Sequence, residues 1–567
     1  MRRGGLLLRR RGRLLWARLL RRRGRRSARR LDGRRRHAED RLGWTAGSAR
    51  RRRHGPAARP AVLGRGEYGS AAIRTRPGGL RHGGCSPSAD PGPLSPHLTR
   101  FPRRATTAQP AIAARAIRRG RDVRRGHSGY STPAVKRLPL AEDARPIDLR
   151  CDGRPVRAYA GDSVAVALSA SDVRVLSRSL KYHRPRGFFC LEGHCGACLM
   201  RVDGVPNVRA CMEPCRDGME VAGQNAYPSP DLDVLGAVDW LFPQGMDHHT
   251  LMTGSRVLNS VVNRMVRQLG GLGELPDRPA PAFPEPAVDE PDVAVVGAGP
   301  AGLAAATAAA AAGADVLLVD EHDVAGGSEW ADPRAGRAAV EARVDAARRA
   351  GVRFASRSTA VAFYPEDDGG LLAVASPERL TRVRARRYVY ATGGYAINQL
   401  FVNNDRPGVM AARAVGRLLV RHRVVAGTRA VVVGRGDYPA ALAAALRGAG
   451  SDVVEVDGDD ARVVGVRGRV WVKAVDVDRG GRVDRVPCDL VAVWDTPSPA
   501  SEAPRQHGCA VRFDPARGGF AVEVDADGRT SVAGVFACGD VCGFVGPRAA
   551  ADQGERAGAT AAREALA

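Results

Sequence analysis

At 567 residues the chain is long enough for three or four cores. Its formal charge of +28 would suit a nucleic-acid binder, yet residues 1–137 hold 38 Lys and Arg against 6 Asp and Glu, a surplus larger than that of the whole chain. The remaining 430 residues carry a net charge of −4, which excludes a basic nucleic-acid-binding body.

Residues 1–140 ("RRRGRRSARR", "RRRHGPAARP") show no sustained helical or strand period, and they bury too little apolar surface to offset chain entropy. A disordered basic tail is expected. A polybasic arm and a transit peptide are its functional readings. The plainest reading is upstream sequence translated from a mis-assigned start, since Arg, Gly, Ala and Pro are the default product of GC-rich DNA. No Met lies between Met1 and Met200, so a later start would be non-ATG, with Val135 as a candidate.

Folded structure is expected from about Arg145. "IDLRCDGRPVRAYAG" reads as a hairpin around Asp152-Gly153, "DSVAVALSASD" as a short helix capped by Asp162 or Ser163, and "LMRVDGVPNVRA" as a second hairpin. With a cysteine-rich loop between them, residues 141–225 are expected to form a β-grasp domain. Residues 226–290 should be a helical docking segment and linker. Val257, Leu258, Val261, Val262, Met265, Val266 and Leu269 share one helical face there, Trp240 lies upstream, and "PDRPAPAFPEP" is stiff.

A βαβ pattern opens at Asp292. Val293–Ala314 runs 22 residues without a charge, long enough for a membrane, but it contains GAGPAG and reads as strand, turn and helix. No membrane span is expected. In that stretch Gly297 permits a tight turn, Gly299 lets the backbone approach a pyrophosphate, and Gly302 lets helix pack closely on strand. Asp320 ends the next strand, placed to accept from ribose hydroxyls. FAD and NAD share this fingerprint. A second unit, "RAVVVGRGDYPAALAAALRGAGSDVVEVD", repeats Gly434 and Gly436 but puts Pro439 at the third glycine position, which makes phosphate binding there doubtful.

Five of the eleven cysteines fall between 190 and 215, which points to a local site in a reducing compartment rather than a disulfide framework. Cys190-x4-Cys195-x2-Cys198 is the spacing of plant-type [2Fe–2S] ligands, and Cys211 follows after a hairpin that can fold it back. Gly193 and Gly196 suit a loop whose amides point at sulfur. Zinc is the alternative, since four thiolates suit it. Cys215 is a substitute fourth ligand or a buried thiol, and His194 is expected to face solvent.

Two segments, "YVYATGG" (with Gly393) and "GVFACGD" (with Gly539 and Asp540), resemble the second and third signatures of two-dinucleotide-domain flavoproteins. The resemblance implies FAD, with Asp540 on the flavin's ribityl chain. It also implies an FAD/NAD domain built from 291–405 and 505–567 around an inserted Rossmann-like domain, 406–504. No CxxC lies beside these segments, so a thioredoxin-reductase-like dithiol is not expected. "CLEGHCGACLMRVDG" and "RACMEPCRDGMEV" resemble the β-grasp [2Fe–2S] domains of molybdenum hydroxylases, and more closely small subunits of cyanide synthases and opine oxidases. "RSLKYHRPRG", "QNAYPSPDLDVLGAVDWLFPQG" and "NNDRPGVMAARAV" resemble the α subunit of heterotetrameric sarcosine oxidases. In that family the cluster cysteines are lost, the site corresponding to Gly297, Gly299 and Gly302 holds NAD, and the chain continues into a folate-binding domain.

The fold expected is therefore α/β: a disordered basic tail, a β-grasp [2Fe–2S] ferredoxin-like domain, then a two-dinucleotide-binding-domain flavoprotein. The function implied is that of an electron-transferring α-type subunit of a heteromeric, flavin-dependent amine, imino-acid or opine oxidoreductase in the cytoplasm. Its partner would be a D-amino-acid-oxidase-like β flavoprotein that binds most of the small substrate. No Ser/His/Asp or paired-carboxylate constellation for substrate chemistry is visible in this chain. A self-contained NAD(P)H-dependent FAD/[2Fe–2S] reductase and a scaffold with a structural dinucleotide are the alternatives. Separate domains for the two cofactors predict that Cys195→Ser loses the cluster and keeps the dinucleotide.

Overall fold

The computed structural model describes residues 136–140, 144–179, 182–236, 284–365, 370–458 and 461–567. The basic tail through residue 135, the Trp240 region, the 255–269 helix and most of the linker lie outside the described residues. The expected tail is corrected at its end. Lys136–Arg137 pair antiparallel with Val424–Val425, and the Arg137 guanidinium reaches Asp162 at 2.8 Å. A strand edge and a buried carboxylate hold this segment despite its basic composition.

The first unit is a five-stranded sheet around one helix. Strands β1 (Pro146–Cys151) and β2 (Arg154–Tyr159) form the hairpin read from Asp152-Gly153. Helix α1 (Val164–Ala170) follows; Ser163 sits at its N-cap but makes no side-chain capping bond. The Asp162 carboxylate instead accepts from the Tyr159 amide and from Arg137. Strands β3 (Leu199–Val202), β4 (Val205–Arg209) and β5 (Glu220–Ala222) complete the sheet in the order β2-β1-β5-β3-β4, with β5 parallel to β1. The alternating burial of β1 places Ile147, Leu149 and Cys151 beneath the helix face of Val164, Ala167 and Leu168.

The second unit is a parallel sheet. Strands β6 (Val293–Val296), β7 (Val316–Val319), β8 (Arg353–Ala355) and β9 (Arg387–Tyr390) are joined by a strand from near the C-terminus. β6 and β7 are apolar on every residue because both faces of the sheet are covered. Helix α2 (Pro300–Ala311) runs from the glycine turn.

The third unit begins with β10 (Val409–Ala411) and α3 (Ala412–Val420). It continues through β11 (Arg429–Val433), α4 (Asp437–Gly448), β12 (Asp452–Val456) and β13 (Leu490–Val493), in a parallel sheet of order β10-β13-β11-β12. The chain then returns to the second unit. Strand β14 (Val535–Ala537) pairs with β9 to give the order β8-β7-β6-β9-β14, and α5 (Pro547–Leu566) lies on α2. A methyl group at Gly554 or Gly558 would run into the Ala301 or Ala305 carbonyl, so the small residues of α5 are what bring the two helices together.

One apolar cluster runs from the β-grasp unit into the third unit, joining Leu168, Leu176 and Phe188 to Met410, Val415 and Leu418. Helix α3 is thus packed between the β-grasp unit and the third unit's sheet, and it also meets the second unit at Gly327–Ala331.

Candidate functional site

The first glycine turn is built by contact. Gly297 has φ +103°, and a side chain there would strike the Ala391 carbonyl; one at Gly302 would strike the Gly297 carbonyl. Only glycine allows β6, β9 and α2 to meet this closely. Gly299 is the N-cap of α2, so the amide-rich start of that helix faces the space beyond the sheet. Asp320 Oδ2 accepts the Ala298 amide at 2.6 Å, and its Oδ1 accepts the His322 amide at 2.8 Å. The carboxylate therefore braces the turn, with lone pairs left for a ribose. Burial works to raise the Asp320 pKa, but His322 and these amides hold it below the ordinary carboxylate value.

A cavity of about 480 Å³ opens here, lined by Gly297, Gly299, Asp320, Gly393 and Asp540 among others. Gly302 lies beneath the turn, and Gly539, at φ +76°, packs on Ala301 while its amide donates to Gln553. Asp540 accepts the Val545 amide, and burial pushes its carboxyl above the usual range. Four buried polar atoms of the wall have no partner within the protein: His194 Nε2, His322 Nε2, Arg413 Nε and Arg417 Nε. Such atoms cost free energy unless a ligand or water meets them. The amide-lined turn and the acidic brace fit a dinucleotide.

The cysteine loop is short and strained in the manner its glycines predict, with Leu191, Gly193 and Gly196 all at positive φ. It brings four thiols together. Cys190 contacts Cys195 and Cys211, and Cys198 contacts Cys211. Hydrogen bonds from the Cys195 and Cys211 thiols hold Cys190 below the ordinary thiol pKa. The Glu192 amide approaches Cys190 Sγ at 3.4 Å and the Ala197 amide approaches Cys195 Sγ at 3.5 Å. Cys215 lies apart among Asp162, Arg137 and Glu213, and burial pushes its thiol up to about 12. Among the described residues no three His, Cys, Asp or Glu side chains surround one ion-sized point. The thiols meet as one run, Cys195 on Cys190, Cys190 on Cys211 and Cys211 on Cys198. Together with the Cys190-x4-Cys195-x2-Cys198 spacing, the run suits a two-iron group held by four thiolates.

The loop does not face away from the dinucleotide cavity. His194 was expected in solvent; it is half-buried, lines the cavity, and lies 4.9 Å from the Tyr395 ring. Glu192 also lines it. Its carboxylate pairs with Arg413 at 2.9 Å and Arg417 at 3.2 Å, and all three residues are 7% exposed or less. Burial would raise the Glu192 pKa, but the two guanidiniums hold it down. Arg413 also donates to the Gly394 carbonyl and Arg417 to the Gly327 carbonyl, both on the cavity wall. Sequence reasoning missed this triad, because Arg413 and Arg417 stand more than 220 positions from Glu192. The only sequence signal was their i, i+4 spacing on one helix.

The second glycine turn is different. A side chain at Gly434 would strike the Trp494 carbonyl, and Trp494 stacks on Tyr438 with centroids 4.3 Å apart. That aromatic pair stands at the carboxyl end of the central strands, where such sheets receive ligands.

A glycine-turn cavity reached by Glu192 and His194 of the four-thiol loop suits an iron–sulfur flavoprotein. Comparisons agree. Residues 144–226 match the 2Fe-2S iron-sulfur cluster binding domain family, and residues 292–392 match the FAD dependent oxidoreductase family. Over 401 residues the chain is 32% identical to sarcosine oxidase subunit alpha of Rhizobium meliloti (strain 1021), covering 63% of this chain and 40% of that one. It thus spans less than half the length of that relative. Over 73 residues it is 40% identical to hydrogen cyanide synthase subunit HcnA of Pseudomonas aeruginosa, covering 13% of this chain and 69% of that one. L-Proline dehydrogenase from P. horikoshii superposes with a TM-score of 0.58 over 75% of each chain at 22% identity, a likeness of fold. Through its cysteine-bearing domain the chain belongs to the family of hydrogen cyanide synthase subunit HcnA, and over 63% of its length it is similar to sarcosine oxidase subunit alpha. It is an FAD-dependent oxidoreductase whose cofactors are FAD and a [2Fe–2S] cluster.

Proposed function

We propose that the chain is the electron-transferring α-type subunit of a heteromeric oxidoreductase acting on an amine, imino acid or opine. Gly297, Gly299, Gly302, Asp320, Gly393, Gly539 and Asp540 would hold the FAD, and Cys190, Cys195, Cys198 and Cys211 the cluster. A β flavoprotein subunit resembling D-amino-acid oxidases would bind the small substrate. The observation that carries the reading is that Glu192 and His194, from the loop of the cluster cysteines, line the dinucleotide cavity. Redox groups held on either side of that wall would exchange electrons without a mobile carrier.

FAD takes up two electrons and releases them singly, and a [2Fe–2S] cluster passes one at a time. The protein's own residues bind and shield. The start of α2 presents amides to a diphosphate, and Asp320 keeps the turn closed. The Arg413–Glu192–Arg417 triad seals the cavity floor with fixed charge in place of water. The ten described cysteines are all free. Among the described residues no helix is long and apolar enough to cross a membrane.

Anaerobic purification with cofactor release, iron and sulfide assay and EPR tests the reading. One equivalent of FAD and a reducible two-iron signal are expected. Released NAD in place of FAD would reassign the cavity, and zinc without acid-labile sulfide would overturn the mechanism. Co-expression with a candidate β flavoprotein should give a stable complex in which substrate reduces the cluster.

A further inference from the structure

We infer that the cluster loop is itself part of the dinucleotide site, so that cluster assembly and FAD binding are thermodynamically linked, with His194 as a direct dinucleotide-binding residue. The inference rests on the reading of the 480 Å³ cavity as the FAD site.

Three ties join the loop to the cavity. His194, the neighbour of Cys195, puts Nε2 into the wall, buried and without a partner in the protein. The His194 ring thus stands at the cavity face, where a bound dinucleotide would lie against it. Glu192, two residues from Cys190, is locked to Arg413 and Arg417, whose own Nε atoms are likewise unmet and buried. Arg209, in the strand that leads to Cys211, donates to the Gly193 carbonyl at 2.9 Å and stands 3.6 Å from Glu321, a lining residue beside Asp320. Two residues of the loop therefore belong to the cavity wall, each within two positions of a cluster cysteine.

The consequence differs from that of separate binding domains. A loop released from its cluster would withdraw His194 and loosen Glu192 from the arginines, so FAD would bind a cavity with one wall missing. By linkage, FAD must in turn stabilise the loop in its cluster-holding form by the same factor. No titration or electron-transfer step is needed for this coupling. It is a matter of shared residues.

Equilibrium FAD binding to the full-length chain tests it, together with iron, sulfide and absorbance measurements that report the cluster independently of activity. His194→Ala is expected to keep its iron and sulfide while FAD binds about tenfold more weakly, a hydrogen bond's worth at the upper end. Cys195→Ser should lose the cluster and weaken FAD by at least as much. The reciprocal measurement needs no variant: a chelator should strip the cluster several-fold more slowly from the wild-type chain when FAD is saturating. It also decides the matter should His194→Ala fail to assemble its cluster. His194→Ala with wild-type FAD affinity, or a stripping rate indifferent to FAD, would overturn the coupling while leaving the FAD site standing. A wild-type chain that binds no dinucleotide overturns the reading of the cavity and this inference with it.

Discussion

The two glycine turns, at Gly297 and at Gly434, start from nearly the same sequence and end in different chemistry. Both follow a buried parallel strand and open a helix, and both first glycines take positive φ, +103° and +127°. Beyond the first turn lies a cavity with unmet polar atoms. Beyond the second stands the Tyr438–Trp494 stack, with the Tyr438 hydroxyl donating to the Ala331 carbonyl at 2.7 Å. A fingerprint specifies the turn; what occupies the space past it decides whether a nucleotide can enter. The third unit's sheet serves instead as a platform, sharing its core with the β-grasp unit and holding α3 against the first cavity.

Gly302→Ala is the harshest test of this contrast. Its methyl group has no room against the Gly297 carbonyl, so FAD affinity should fall more than about 100-fold, read as flavin stoichiometry after gel filtration. Gly434→Ala collides with Trp494 instead, and its folded fraction should keep full flavin. Equal flavin loss in both would erase the distinction between cofactor site and platform.

The platform role can be sharpened through His422, just past α3. Burial pushes its pKa down to about 4, although Asp162, 3.4 Å away, works the other way, and Arg421 and Arg417 add to the depression. In the unfolded chain it takes up a proton near its ordinary value of about 6.5. Between those values the unfolded state binds more protons. Stability is therefore full above about pH 6.5 and falls as pH drops toward 4, by up to about 3 kcal/mol. Asp162, held low by His422 and Arg137 against its burial, adds its own loss only below the ordinary carboxylate range. Urea midpoints at pH 7 and pH 5 should show the slope, and His422→Gln should flatten it. An unchanged slope would mean that acid acts elsewhere and that the α3 junction is not what ties the units together.

The smallest effect is the most pointed. Pro439→Gly restores the third glycine of the second turn, at a cost of under about 1 kcal/mol in stability. No NADH binding should appear by fluorescence titration, because the aromatic pair still fills the strand ends. Micromolar NADH binding would place the whole difference between the turns in one residue.

Much of this was legible from local pattern. Hairpins at Asp152-Gly153 and Asp203-Gly204, the glycine turn with Asp320, and the cysteine spacing depend on residues near one another in the chain, where backbone sterics and ligand spacing act. Less legible was anything made by distant partners. His194 looked like a solvent-facing loop residue, and nothing near it in sequence announces the cavity it lines. Arg413 and Arg417 looked like ordinary helix arginines until Glu192 was brought between them. Ser163 was a fair cap candidate, but the adjacent Asp162 answers to Arg137 and His422 across the fold.

By itself, then, the sequence determined the kinds of chemistry present: a four-cysteine loop, a dinucleotide turn, and a second turn altered at its third position. These rest on short-range geometry that the chain cannot avoid. Only the tertiary structure decided that the cysteine loop and the dinucleotide turn form one site. That depends on α3 packing between the β-grasp unit and the third unit's sheet and carrying two buried arginines to a single glutamate, an arrangement set by burial and charge pairing across more than two hundred residues.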